Sequence, residues 1–112
     1  MKELITHHVS GTHVYPRVIE DALLTHPSVR EAAACALPDE QADGDRIYAA
    51  VTLDGHAVGE ETLRAHVRSA LGQDHLVPDC LEVLSELPLT RVGKIGKRAL
   101  LAEYSRRRAS VR

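Results

Sequence analysis

Aromatic side chains are scarce in this sequence, which has no Trp, no Phe and three Tyr among 112 residues. Proteins that bind single-stranded nucleic acids stack the bases on aromatic side chains, and small-molecule pockets are commonly lined by apolar and aromatic residues. The composition therefore argues against a nucleic-acid partner and against a chain that encloses a substrate on its own. Apolar residues make up 44% of the chain, which suffices for one aliphatic core.

Cysteines and long apolar runs are equally sparse. Cys35 and Cys80 share no metal-ligand spacing, and we expect them to be small buried thiols in a reducing compartment. The longest fully apolar run, residues 32–37, is far shorter than a membrane-spanning helix. No charged and then apolar leader opens the chain. These features predict a cytoplasmic protein without a membrane partner.

The net charge of −2 hides an uneven distribution of charge. Between Arg91 and Arg112 there are eight basic residues against a single acid, Glu103. A basic segment of this kind can face phosphates, although a solvated helix end is the commoner explanation, above all for residues 106–108. The charge pattern by itself leaves both interpretations open.

Turn residues and apolar periodicity predict an α+β fold over residues 1–112 as a single domain, with a small antiparallel sheet plus an N-terminal β-hairpin, packed with about three helices. The predicted elements are a hairpin in residues 1–15, a helix from Pro16 to about His26, strands from Val29 to Leu37 and from Arg46 to Leu53, a helix from Glu60 to Leu71, a short strand at Leu81 to Val83, and a helix from Arg98 to Arg107. The alanines of residues 29–37 favour a helix by propensity. Because Pro27 and Pro38 bound this segment and the next one alternates, we interpret it as a strand.

The most informative segment is the loop from Leu87 to Gly96. Gly93 and Gly96 allow a tight turn, and Lys94 between them is a positioned cation that can reach a phosphate or carboxylate oxygen. The segment is not a Walker A loop, because that loop requires an earlier Gly at a fixed distance and a Ser or Thr after the lysine. The alternative is an ordinary exposed turn lysine without a function.

Residues 87–94, Leu-Pro-Leu-Thr-Arg-Val-Gly-Lys, resemble the last core motif of the adenylate-forming superfamily, which comprises acyl-CoA synthetases, the adenylation domains of peptide synthetases and luciferases. Further matches follow the order of that family: the hinge at residues 2–5, the post-hinge segment at 14–20, His-Pro-Ser-Val-Arg-Glu-Ala-Ala at 26–33, Pro-Asp-Glu at 38–40 and Val-Pro at 77–78. Several ordered matches are more specific than one motif. The whole chain thus resembles the C-terminal domain of that superfamily.

The resemblance implies an ATP-dependent acyl or aryl ligase, in which a carboxylic acid is activated to an acyl-adenylate with loss of pyrophosphate. In that step the small domain brings the motif lysine, here Lys94, to the acid carboxylate and the ester oxygen of AMP, where it stabilises developing negative charge. The resemblance also implies that Gly93, next to Lys94, contacts the nucleotide. Lys97 and Arg98 are implied as weaker basic contacts with the nucleotide, their alternative being ordinary helix surface charge.

Three N-terminal positions follow from the same resemblance. Lys2 falls at or near the pivot of the domain, and Ser10 and Gly11 border the tunnel through which a thiol displaces AMP in many members. The loop here is about two residues longer than is usual and lacks one glycine, so the thiol-transfer side departs from the family pattern. The histidines of residues 7–13 match no common zinc spacing, and we expect no metal site.

The resemblance also implies cofactors and partners for the complete enzyme. These are ATP with Mg2+, and CoA or a carrier-bound pantetheine, none of them held by this domain alone. The partner is a large N-terminal adenylation domain, absent from this sequence and joined in cis or in trans, with an acyl or peptidyl carrier protein as a second candidate. The large domain sets the acid specificity, and the small domain is expected to be inactive alone. An alternative of another class is a stand-alone, non-catalytic module that docks on a carrier protein or a partner ligase.

Overall fold

The structure is a computed structural model that describes residues 5–6, 13–38, 44–55, 57–89 and 93–110. In chain order the elements are β1 (Ile5–Thr6), β2 (His13–Val14), α1 (Pro16–Leu24), β3 (Val29–Pro38), β4 (Asp45–Leu53), α2 (Glu60–Leu71), a 3-10 helix (Asp74–Leu76), β5 (Cys80–Val83) and α3 (Lys97–Ser110). The predicted α+β class is confirmed, with helices packed on a small sheet.

Strands β1 and β2 pair antiparallel, with Ile5 opposite Val14. This pairing confirms the predicted N-terminal hairpin, while the turn predicted around Ser10 and Gly11 lies outside the described residues. Val14 is buried in the core cluster that also contains residues of α1. The second strand of the hairpin therefore leads directly from the core into the first helix.

The main sheet has the order β3-β4-β5. Alanine-rich β3 pairs antiparallel with β4, with Cys35 opposite Tyr48, so the interpretation of this segment as a strand is confirmed. Strand β5 then pairs parallel with β4, with Tyr48 opposite Cys80, so the sheet is mixed rather than antiparallel throughout. The physical reason is the connection, because α2 and the 3-10 helix between β4 and β5 form the long crossover that a parallel neighbour requires.

The ends of the helices follow from local sequence. Pro16 occupies the start of α1, where its missing N–H group removes no intrahelical bond. Helix α2 has two acidic residues in its first turn, which the helix dipole favours. It ends at Gly72, which has a left-handed conformation with φ 67°. Helix α3 begins at Lys97 and ends at Ser110, slightly beyond the predicted range at both ends.

Both faces of the main sheet are covered. Helices α1 and α2 pack on one face, whose buried cluster comprises Val14, Ile19, Leu23, Val29, Ala32, Ala34, Ala36, Ile47, Ala49, Val51, Leu63, Val67 and Leu81. Helix α3 and the loop before it pack on the other face, whose cluster comprises Ala33, Cys35, Tyr48, Ala50, Leu87, Leu100 and Tyr104. Burial of each larger aliphatic side chain in these clusters contributes roughly 1.5–3 kcal/mol.

Within the described ranges, no helix combines the length and the apolar character needed to cross a membrane.

Candidate functional site

The loop that carries the predicted lysine is closed at its base. Leu89 and Ile95 form an antiparallel bridge, and the N–H of Gly96 donates to the carbonyl oxygen of Pro88 at 2.7 Å. Leu87, just before the loop, is buried under α3. The two arms of the loop are therefore held together at its base.

Lys94 lies on this loop and is exposed to solvent. Gly93 before it has φ 81°, a conformation that a glycine adopts without the steric cost that a side chain would incur. No atom lies within 4 Å of the position that a Cβ of Gly93 would take, so backbone conformation rather than crowding requires the glycine. The local sequence thus turns the chain at Gly93 and presents the following ammonium group at the surface.

Lys97, the first residue of α3, lies in an ion pair with α1. Its Nζ is 2.8 Å from Oε2 of Glu20, and the two side chains are 25% and 19% exposed. The same oxygen accepts a hydrogen bond of 2.8 Å from the backbone N–H of Ala34 in β3. One carboxylate therefore connects α1, β3 and the start of α3.

The structure brings four of the predicted site residues into one short stretch. Gly93 and Lys94 lie on the loop before α3, and Lys97 and Arg98 lie in the first turn of α3, with Arg98 exposed. The other predicted site positions, Lys2, Ser10 and Gly11, lie outside the described residues.

Sequence reasoning missed the part that Glu20 plays. The residue was noted only as one member of the post-hinge match, and local spacing gives no sign that it pairs with a lysine near the other end of the chain. The signal that was present is chemical: Glu20 is an acid next to buried Ile19 on a helix that packs on the sheet. Such an acid needs a partner when its surroundings exclude water.

A second polar network fastens the far end of α3 to the sheet. The hydroxyl of Tyr48 donates to Oε1 of Glu82 at 2.5 Å, and Nη2 of Arg107 donates to the same oxygen at 2.5 Å. Burial, and next the hydrogen bond to Glu82, raise the pKa of Tyr48 above its ordinary value. The hydroxyl of Tyr104 donates to Sγ of Cys80 at 3.3 Å. Since Tyr104 and Arg107 belong to α3 and their partners Cys80 and Glu82 belong to β5, these bonds hold the helix on the sheet.

Among the residues that the structure describes, no three His, Cys, Asp or Glu side chains are grouped so that they could hold a metal ion.

Comparison with protein families gives one match over most of the chain. The family model described as the AMP-binding enzyme C-terminal domain matches residues 18–94, a range that includes Glu20 and Lys94.

Curated relatives agree with this match. The chain is 43% identical over 93 residues to an acetyl-coenzyme A synthetase of Deinococcus radiodurans, an alignment that covers 82% of this chain and 14% of the relative. It is 42% identical to an isonitrile lipopeptide synthase of Streptomyces coeruleorubidus over 84% of this chain and 6% of the relative. A long-chain-fatty-acid–CoA ligase of Bacillus subtilis is 39% identical over 83% of this chain and 16% of the relative. The chain thus spans only a small part of each of these proteins.

Solved structures show the same relationship in three dimensions. The amide bond synthetase McbA from Marinactinospora thermotolerans superposes with a TM-score of 0.81 at 36% identity, over 92% of this chain and 20% of that one. MbtA of Mycobacterium smegmatis superposes with a TM-score of 0.79 at 41% identity, over 91% of this chain and 19% of that one. The similarity therefore covers nearly all of this chain and about a fifth of each larger protein.

Proposed function

Because the chain belongs to the family of AMP-binding enzyme C-terminal domains, we propose that it is the mobile small domain of an ATP-dependent carboxylic acid ligase and that Lys94 is its adenylation lysine. The observation that supports this most strongly is the exposed position of Lys94 on a loop whose base is closed. A cation that serves another domain must be accessible at the surface of its own domain and held in place there. Lys94 is exposed, and the Leu89–Ile95 bridge fixes the base of its loop, which supports this role.

The proposed chemistry is electrostatic. When the acid carboxylate attacks the α-phosphate of ATP and pyrophosphate leaves, negative charge builds up on the oxygens around the reacting phosphorus. The ammonium group of Lys94 lies beside those oxygens in the closed enzyme and stabilises that charge. A preorganised donor of this kind contributes on the order of a hundredfold to a thousandfold in rate. The effect requires a cleft that excludes water, which the large domain supplies.

The remaining assignments are part of the same proposal. Residues 1–112 form one domain, an assignment supported by a Cα radius of gyration of 13.5 Å, close to the roughly 13 Å of a 100-residue domain. Lys2 lies at the pivot with the large domain, and Ser10 and Gly11 face the thiol, either CoA or a carrier-bound pantetheine. Gly93 and Arg98 border the nucleotide, which binds as ATP with Mg2+. The cytoplasmic location stays a prediction.

The experiment joins this chain to the large domain of the Deinococcus radiodurans acetyl-coenzyme A synthetase, in place of the segment that matches it. Acetate-dependent exchange between pyrophosphate and ATP is then measured for the chimera, for the large domain alone and for the chimera with Lys94→Ala. We expect the exchange rate of the chimera to exceed that of the large domain alone. We expect Lys94→Ala to lower its rate by about a hundredfold to a thousandfold.

The controls separate this function from its alternative. Arg68→Met removes one positive charge and one exposed ion pair, which Arg68 of α2 forms with Asp74 of the 3-10 helix, and should leave the exchange rate unchanged. A chimera no faster than the large domain alone would contradict the proposal. If it fails in this way and the chain instead binds a carrier protein, the stand-alone docking module takes its place.

A further inference from the structure

Glu20 is the meeting point of three elements. It lies on α1, and its Oε2 accepts hydrogen bonds from the backbone N–H of Ala34 in β3 and from Nζ of Lys97 at the start of α3. Strand β3 is an edge strand of the main sheet, so this amide has no neighbouring strand on that side and needs another acceptor. Glu20 thus covers an open backbone group and at the same time fixes a lysine.

Three successive residues after Lys94 are fixed by different contacts. Ile95 forms the bridge with Leu89, the N–H of Gly96 donates to Pro88, and the side chain of Lys97 bonds to Glu20. The first two contacts close the loop upon itself. The side chain of Ile95 also packs against the core cluster under α3, and the Lys97 contact adds a polar tie from this end of the loop to α1 and β3.

We propose that Glu20 and Lys97 are positioning residues that orient the loop carrying Lys94. The inference rests on the proposed function of Lys94, and it assigns Lys97 an internal role instead of the nucleotide contact that the family resemblance implies. When the domain closes, Lys94 must reach its place without a further search through loop orientations. Loss of the Glu20–Lys97 ion pair reduces the fraction of domains in which the loop holds Lys94 in the orientation that the reaction needs.

The surroundings of the pair favour this role over direct contact with the nucleotide. Both side chains are more than two-thirds shielded from solvent. If Lys97 turned outward to a phosphate, it would leave the carboxylate of Glu20 charged, shielded and bonded to Ala34 alone. Removing one partner of a shielded ion pair is strongly unfavourable, so the geometry keeps Lys97 on Glu20.

The kinetic test uses the chimera with Lys97→Met, Lys97→Arg and the matched control Arg68→Met. Lys97→Met should lower kcat of pyrophosphate exchange by on the order of tenfold to a hundredfold, the scale for a misplaced catalytic group, and leave KM for ATP unchanged. Lys97→Arg keeps the charge and the donor, and should restore most of the rate. Arg68→Met should match the unsubstituted chimera.

Combination with Lys94→Ala distinguishes positioning from a general structural role. If Lys97 acts through Lys94, Lys97→Met should cause no further loss once Lys94 is already Ala. An equal loss in both backgrounds would overturn the inference, as would a raised KM for ATP with unchanged kcat, which indicates direct contact. An unchanged rate would overturn it too. A failure of the proposed function is distinguishable from a failure of this inference, because it would show as an unchanged exchange rate in the Lys94→Ala variant by itself.

A second measurement needs no large domain. In the present chain, amide hydrogen exchange of Gly96 reports the bond to Pro88 at the base of the loop. Lys97→Met should accelerate this exchange by at least about tenfold, since it removes a charge-assisted bond next to the loop. Lys97→Arg and Arg68→Met should leave it close to the original rate. An unaltered hydrogen-exchange rate of Gly96 in Lys97→Met would overturn the inference that Glu20 and Lys97 position the loop, whatever the kinetics show.

Discussion

Lys94 and Lys97 show how two identical side chains, three positions apart, differ through their surroundings. Lys94 lies on the loop before α3 and is exposed, whereas the side chain of Lys97 is largely shielded, with its Nζ 2.8 Å from Oε2 of Glu20. Sequence reasoning ranked Lys94 first through its motif and its flanking glycines. It had no means of separating Lys97 from Arg98, since the partner of Lys97 is close to it only in the folded chain.

Cys35 allows a prediction about alkaline stability. Burial raises the pKa of its thiol from 9.0 to about 11, with a smaller lowering by Lys97 and a smaller rise from Glu20. Below pH 9 the thiol is protonated in both the folded and the unfolded chain. As the pH rises from 9 towards 11, the unfolded thiol ionises first, so the free energy of unfolding falls by up to about 1.4 kcal/mol per pH unit. Urea unfolding at pH 8 to 11 measures this slope.

The matched control for this prediction is Cys35→Ala. Tyr48 also has a raised pKa and adds to the alkaline slope in both proteins, so the difference between the two slopes isolates Cys35. We expect a shallower slope for Cys35→Ala. Equal slopes in the two proteins would show that the thiol does not titrate differently on folding.

At the scale of elements, the sequence pattern predicted the type and the order of the helices and strands better than it predicted which strands pair and in which direction. The bounding prolines and the alternation of the next segment correctly indicated that β3 is a strand, in spite of its alanines. The parallel pairing of β5 had no local signal, because it depends on where α2 and the 3-10 helix return the chain. Tyr48, on the face opposite Ile47, is buried as well, because α3 covers that face.

The end of α2 provides a prediction of stability. Gly72 has φ 67°, and no atom lies within 4 Å of a Cβ built on it. Gly72→Ala should therefore lower the free energy of unfolding through backbone strain alone, by about 1–2 kcal/mol. Gly72→Asn should lose less, because Asn tolerates this conformation better. Thermal or urea unfolding of the two variants gives the comparison, and an equal loss in both would indicate that the side chain clashes after all.

At the scale of the whole molecule, the proposed site requires a second domain. The chain has a buried core on each face of its sheet, and its candidate catalytic group, Lys94, is exposed and belongs to neither. Sequence could predict that group because a motif in the chain itself carries it. The chain spans only 6–18% of the length of the curated relatives that it matches, and our proposal assigns the water-excluded cleft, the acid and the nucleotide to a further domain.

The measurement that tests the role of Lys94 most directly separates the two half-reactions in the chimera with Lys94→Ala. Acetate-dependent pyrophosphate exchange reports formation of the adenylate, and thioester formation from supplied acetyl-adenylate and CoA reports the second step. We expect the first to fall by about a hundredfold to a thousandfold while the second stays close to the unsubstituted rate. An equal loss in both steps, or no loss in the first, would contradict the assignment of Lys94 to acid activation.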